Sequence, residues 1–236
     1  METYRIYPNV KLGKDVEIGD FCIIGHPPRG KQPGELETVI GDGAVIRSHS
    51  IIYAGTTIGK DFQTGNGVVI RENTVIGNNV SLGMNGVIEH HCVVGDNVRM
   101  QGQVGICEYS VLEDGCWIGP RTVFTNVPHP LCPKAKECLK GPTIKKRAIL
   151  GANVILLPAV VIGEYSLIGA GCVIRKDIPP KIVVMGNPPK KVGDIFNLSC
   201  PYDLIDKPYR EEDMLPEARH ETEGSEIGSK RLGTRV

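Results

Sequence analysis

The sequence predicts an all-β fold of many short strands closed by tight turns, and two observations carry that reading. The first is composition: aromatics make up 5% of the 236 residues while glycine alone contributes 29. Bulky core formers are therefore few, and valine and isoleucine, which favour strands, must do most of the packing between turns. The second is a fixed period of six. Apolar residues fall at Leu12, Ile18 and Ile24, and resume at Ile40, Ile46, Ile52, Ile58, Ile70, Ile76, Leu82, Ile88, Val94, Ile106, Leu112, Ile118 and Phe124, with Thr64 and Met100 completing that run. The series restarts at Ile144, Leu150, Leu156, Ile162, Ile168 and Ile174, which makes 24 hexads in all.

Each hexad can be justified in chain order by the same two neighbours of its anchor. Two residues before the anchor the side chain is nearly always small or β-branched, as at Val16, Cys22, Ala44, Ser50, Val68, Val80, Cys92, Val98, Val104, Ser110, Cys116, Val154, Ser166 and Cys172. Such a column faces a narrow interior, so Cys22, Cys92, Cys116 and Cys172 read as small core residues. Glycine often follows the anchor (Gly13, Gly19, Gly59, Gly77, Gly95, Gly119, Gly151, Gly163, Gly169), where the turn needs either φ > 0 or a missing Cβ. Two segments interrupt the period, residues 26–36 (HPPRGKQPGEL) and 126–142 (NVPHPLCPKAKECLKGP).

A hexad ladder of this length resembles the hexapeptide-repeat, left-handed parallel β-helix family. The resemblance implies three hexads per triangular coil, hence about eight coils, with left-handed crossovers that depart from the usual rule. It divides the chain into a β-helix domain over residues 1–195, carrying the two loops, and a charged C-terminal extension over 196–236. The stretch YREEDMLPEARHETEGSE in that extension reads as a short helix before a polar end.

Charge and hydropathy exclude whole classes of function. Lys+Arg and Asp+Glu both number 27, so no net field recruits nucleic acid or an anionic membrane. The start METYRIYPNV lacks a basic region followed by an apolar core, and AILGANVILLPAVVIG is too short and interrupted to span a bilayer. A cytoplasmic protein with reduced thiols is expected, although it has eight cysteines.

On three hexads per coil, residues eighteen apart stack about 4.8 Å from one another. The column through His90 then reads His26, Ala54, Glu72, His90, Glu108 and Asn126, and both loops leave from this same edge. Extruded loops gathered on one face of a solenoid mark a binding face. His90 has a carboxylate one coil away on each side, either of which can orient an imidazole and stabilise its protonated form.

The segment IEHHCVVG resembles the catalytic segment of hexapeptide acyltransferases. That resemblance makes His90 the base that takes a proton from the acceptor as it attacks an acyl-CoA thioester. This chain has His91 where the family carries an acidic residue, so the orienting partner of His90 is Glu108, nearer the larger loop, or else Glu72. The later stretches VRMQGQVGICEYSVLEDGCWIGPRTVFTNVPHP, GPTIKKRAILGANVILLPAVVIGEYSLIGAGCVIRKDIPP and VVMGNPPKKVG resemble N-acetyltransferases of nucleotide-linked 3-amino sugars, such as UDP-2-acetamido-3-amino-2,3-dideoxyglucuronate.

From that likeness come acetyl-CoA as donor and a nucleotide sugar as acceptor. Glu72, His91, Gln101, Gln103, Arg121, Asn126 and His129 become acceptor contacts; Gln101 and Gln103 stand where some members have an asparagine. Lys145, Lys146, Arg147, Arg175, Lys176, Lys190 and Lys191 suit the donor's phosphates, and backbone at Gly169, Gly171 and Gly186 its pantetheine arm. A homotrimer with shared sites is implied as well. A non-catalytic trimeric scaffold stays open as an alternative, as does a small zinc group of His129, Cys132, Cys138 and Cys200. A carbonic-anhydrase-like site is disfavoured, since the six histidines contain no pair five apart.

Overall fold

The computed structural model describes residues 3–210 and residue 212. The predicted helix in the C-terminal extension lies, apart from Tyr209, Arg210 and Glu212, outside these described residues. From Arg5 to Ile174, successive two- to four-residue strands pass through three sheets in strict rotation, giving a parallel β-helix of triangular section. Sheet A has nine strands, from Arg5–Ile6 to Val173–Ile174; sheet B has eight, from Val10–Leu12 to Val161–Ile162; sheet C has ten. Partners lie eighteen residues apart, as in Val69↔Val87 and Ile70↔Ile88, so each coil is three hexads. The winding therefore has three edges, here named A–B, B–C and C–A after the sheets they join.

The alternation inside each strand is what closes the prism. The anchor points inward and is buried, while the residue before it faces out, as in the Val87–Ile88 pair. Ile24, Ile52, Ile70, Ile88 and Ile106 are at most 1% exposed in one continuous stack, and each buried aliphatic side chain contributes about 1.5–3 kcal/mol. Most inward hydroxyls bond to carbonyls: Ser110 Oγ donates to Cys107 O at 2.8 Å, and Thr74 Oγ1 to Glu89 O at 3.0 Å, while Thr38 Oγ1 is buried without a partner among the described residues.

Three expectations change in detail. The hexads number one more than expected at the N-terminus, because Ile6 begins the series with Tyr4 rather than a small residue two before it. The end coil is open on one side and accepts the larger ring. Of the two reasons offered for glycine after the anchor, the missing Cβ holds: a Cβ on Gly119 would sit 2.5 Å from the carbonyl carbon of Gly151 in the next coil. Positive φ falls instead three residues after the anchor, at Asn73, Asn79, Asn85, His91 and Asn97 and at Gly43, Gly55 and Gly67. Finally, His26 pairs with Tyr53 instead of Ala54, because Gly25 adds a residue to its strand at φ 74°.

After Ile174 the period lapses at Pro179 and Pro180. Ile182–Met185 still adds to sheet C in parallel, and Lys190–Asp194 returns against it antiparallel. Tyr165, Val183 and Ile195 then form a small second core with Phe196, Leu198 and Tyr209, so the start of the extension lies back along sheet C.

Candidate active site

Both loops leave the A–B edge: one joins Ile23–His26 to Thr38–Ile40, the other Val123–Phe124 to Thr143–Ile144. Below the second loop, the predicted column is assembled. His90 Nε2 stands 3.7 Å from Glu108 Oε1, and the two side chains are 25% and 29% exposed. Glu108 is fixed from the far side by Asn126 Nδ2, which donates to Oε2 at 2.5 Å. Asn126 itself is only 8% exposed, at the root of the loop.

The two carboxylates flanking His90 differ in what already neutralises them. Glu72 takes hydrogen bonds from Arg71 Nε at 2.8 Å and Nη2 at 3.0 Å. Burial works to raise the Glu72 carboxyl, but the hydrogen bonds from Arg71 and from its own backbone, with the charges of Arg71 and His90, hold it below its ordinary range. Arg71 also reaches Glu89 at 3.4 Å and lies over the Tyr53 ring, 4.8 Å from its centroid. Among the described residues, no Arg or Lys pairs with Glu108 in this way. Of the two expected partners, Glu108 is therefore the free carboxylate facing His90.

His91 occupies a left-handed corner, φ 58°, in a column of its own between Asn73 and Tyr109. Its Nδ1 is 2.8 Å from His90 Nδ1, the ring planes are nearly perpendicular, and its face tilts over Tyr109 at 5.5 Å. Asn73 and Tyr109 are site neighbours that the sequence reading passed over. Their signal was available, because residues 73, 91 and 109 share the eighteen-residue phase.

Other expected contacts lie elsewhere on the prism. Gln101, Gln103 and Arg121 sit on the C–A edge, at the opposite end of sheet A from His90, with Arg121 Nε donating to Gln103 Oε1 at 2.8 Å. There Gln101 lines a groove of about 360 Å³ with Arg47, Asn66 and Met84. His129 is exposed on the second loop.

Among the expected donor contacts, Lys145, Lys146 and Arg147 lie on the B–C edge. Lys145 pairs there with Glu113 at 2.7 Å, and Arg147 borders a cleft with Trp117 and Tyr209. Gly169, Gly171 and Gly186 follow sheet C on the C–A edge. Arg175, Lys176 and Lys191 come together in a largely apolar cleft of about 370 Å³ with Ile174, Ile178 and Pro188. Lys190 is exposed beside it. Lys176 continues the His90 column, so this cleft lies at the C-terminal end of the same edge.

Burial sets the cysteines apart from the chemistry. It pushes the Cys92 thiol up to about 12 and Cys107 up to about 11, leaving neither as a ready nucleophile. All eight cysteines are free, and among the described residues no group of three His, Cys, Asp or Glu side chains is placed to hold a metal ion. Among those residues no helix is long and apolar enough to cross a membrane.

A three-sided parallel winding of eighteen-residue coils, with a histidine–carboxylate pair on its one elaborated edge, defines the fold: a left-handed parallel β-helix built of hexads. Residues 141–176 match the bacterial transferase hexapeptide (six repeats) family. The UDP-N-acetylglucosamine acyltransferase of Bacteroides fragilis 9343 shares the fold at TM-score 0.54 and 25% identity, over 82% of this chain and 74% of that one. Galactoside O-acetyltransferase from Escherichia coli K12 is 34% identical over 93 residues, 37% of this chain and 46% of that protein. The dTDP-3-amino-3,6-dideoxy-α-D-galactopyranose 3-N-acetyltransferase of Aneurinibacillus thermoaerophilus is 36% identical over 63 residues, 27% and 33% respectively. The chain spans less than half the length of the curated relatives it matches.

Proposed function

We propose that this protein is an N-acyltransferase that moves an acyl group, acetyl in the simplest case, from acyl-CoA to the amine of a nucleotide-linked amino sugar. The observation that carries the reading is the His90–Glu108 pair on the edge from which both loops emerge. An amine must be neutral to attack a thioester, and a positioned base contributes roughly 10²- to 10⁴-fold. His90 Nε2 takes the proton as nitrogen bonds to the carbonyl carbon, and the carboxylate of Glu108 offsets the positive charge that develops on the ring. The tetrahedral intermediate then expels the CoA thiolate, which receives the proton from His90, leaving amide and free thiol.

The donor is expected to run from the cleft at Arg175, Lys176 and Lys191 down the A–B edge. Four coil steps of about 4.8 Å separate Lys176 from His90, a span of about 19 Å. The cleft's apolar walls and three cations suit the nucleotide end of CoA. The second loop, with His129, covers the acceptor beside Asn126.

Apolar outer faces flank this edge on both sides. Val123 and Ile155 of sheet A are 43% and 38% exposed, and Val75 and Val93 of sheet B are 49% and 47% exposed. Such faces support assembly with further copies of the chain, in our reading a homotrimer. Gln101, Gln103 and Arg121 act on the same acceptor only when a neighbouring copy brings its C–A edge over the site.

The test is thiol release from acetyl-CoA with a panel of acceptors: 3-amino and 4-amino sugar nucleotides, their hydroxyl counterparts and simple galactosides. Release with amino sugar nucleotides that His90→Gln abolishes is the expected result. Release with a galactoside alone makes the protein an O-acetyltransferase; none with any acceptor, and no acetyl-CoA binding, leaves a scaffold.

A further inference from the structure

Arg147 breaks the pattern of its column. The left-handed corner three after each sheet B anchor carries Asn79, Asn97 and Gly115 on successive coils, and the next coil places an arginine there at φ 55°. A long side chain in this conformation is uncommon. Gly115 makes room for it: a Cβ at that corner would lie 2.9 Å from Arg147 Cγ, so the stem of the arginine crosses a bare glycine. The guanidinium reaches no acceptor among the described residues, and its Nε is buried without a partner.

The carboxylates of the same edge are already committed. Glu113 takes the Lys145 ammonium at 2.7 Å and the Lys146 backbone N–H at 3.0 Å, and Asp114 Oδ1 accepts the Asp96 backbone N–H at 2.9 Å. A buried donor left unpaired costs free energy until something satisfies it. Arg147 borders a cleft of about 310 Å³ on the B–C side of the prism. Trp117 and Ile149, paired outward positions of sheet C, line it together with Tyr209. Tyr209 comes from the C-terminal extension, where it packs on the small core of Tyr165, Val183 and Ile195. Trp117 is the sole tryptophan of the chain and is 38% exposed, and its ring has no aromatic partner among the described residues.

We infer that this cleft is a second ligand site, separate from the His90 edge, and that it takes a nucleoside phosphate. The base lies against Trp117 and Tyr209, since stacking on aromatic side chains accepts any flat heterocycle. The phosphate takes the N–H groups of Arg147, whose planar fork matches phosphate oxygens. The volume stands at the low end of small-molecule sites, which span about 300–1,000 Å³, and so suits one nucleotide rather than a complete acyl-CoA. Sheet C and the A–B edge are different sides of the prism, so this ligand is distinct from the acceptor held at His90 of the same copy. The inference stands whether or not His90 is the base.

The single tryptophan supplies the readout. Full-length protein is titrated with AMP and with UMP, and with adenosine, uridine and inorganic phosphate as controls. Emission of Trp117 is followed with excitation at the red edge of its absorption, where the nucleotides are transparent. The expected result is saturable quenching by a nucleoside monophosphate, at an affinity at least roughly tenfold above that of the nucleoside or phosphate alone. Arg147→Asn installs a side chain that the column already accepts at Asn79 and Asn97, and it is expected to weaken nucleotide binding at least roughly tenfold. Tyr209→Leu keeps apolar bulk on the second core, removes one stacking ring and is expected to weaken nucleotide binding roughly fivefold or more. No quenching by AMP or UMP up to millimolar concentration overturns the inference, as do equal affinities for nucleotide and phosphate or parental binding in Arg147→Asn. If Arg147→Asn fails to fold, Tyr209→Leu decides, and parental nucleotide binding there overturns the inference.

Discussion

Glu108→Gln isolates the electrostatic part of the proposed catalysis. The substitution keeps size and keeps an oxygen for the Asn126 amide, but removes the charge 3.7 Å from His90 Nε2. Unit charges at that distance interact by about 1 kcal/mol in bulk water and about 4 kcal/mol at an effective dielectric constant near 20. Both side chains are between a quarter and a third exposed, so a value near 2 kcal/mol is a reasonable centre. At about 1.4 kcal/mol per decade, this corresponds to roughly a 30-fold loss of kcat/KM. Glu72→Gln provides the contrast, because the charge of Glu72 is already offset by two hydrogen bonds from Arg71; its loss is expected to stay within roughly threefold. Steady-state rates across pH for both variants check this. A Glu108→Gln enzyme within threefold of the parent, or a Glu72→Gln enzyme more impaired than it, refutes the assignment of Glu108.

Phe62 is fully buried at a position where most hexads carry a small side chain, two residues before the small anchor Thr64; Phe62→Ala is expected to cost about 3–5 kcal/mol in urea unfolding. In thiol labelling of the native protein at pH 8, Cys92 and Cys116, each raised to about 12 by burial, should be spared while exposed Cys132 and Cys138 react. Cys200, lowered by hydrogen bonds from the backbone of Tyr202 and Leu204, should react first. Gly119→Ala must displace the Gly151 backbone, whereas a Cβ at Gly105 meets no atom within 4 Å, so thermal unfolding should fall for the first and hold for the second. Because the Glu72 carboxyl is depressed in the folded state from 4.5, its contribution to stability is present above that pH and fades as pH falls through the lower folded value. Glu72→Gln should flatten the acid side of a stability–pH curve.

What the sequence made legible follows from how a solenoid constrains it. One residue in six must enter the same narrow interior, and the next coil must repeat it in register, so Ile52, Ile70, Ile88 and Ile106 announce both strand and partner. The same phase brought His90, Glu108 and Asn126 to one edge before any coordinates. It also separates Gln101 from His90, since eleven residues is not a multiple of eighteen; the likeness of local segments to sugar N-acetyltransferases overrode that arithmetic. Corner chemistry was equally available, in the recurrence of Asn and Gly three after the anchor, where left-handed φ is cheapest. Side-chain choices within the column were not. Whether Arg71 turns to Glu72 or outward, and whether His91 presents Nδ1 to its neighbour or to solvent, depends on rotamers that stacking phase leaves undetermined. Those two choices shape the site: the first engages the Glu72 carboxylate with Arg71 and leaves the Glu108 carboxylate facing His90, and the second brings the two imidazoles within 2.8 Å of each other. The fold is thus encoded by a period. The site is encoded by departures from it, in the polar residues that occupy corners where the winding alone would accept asparagine or glycine.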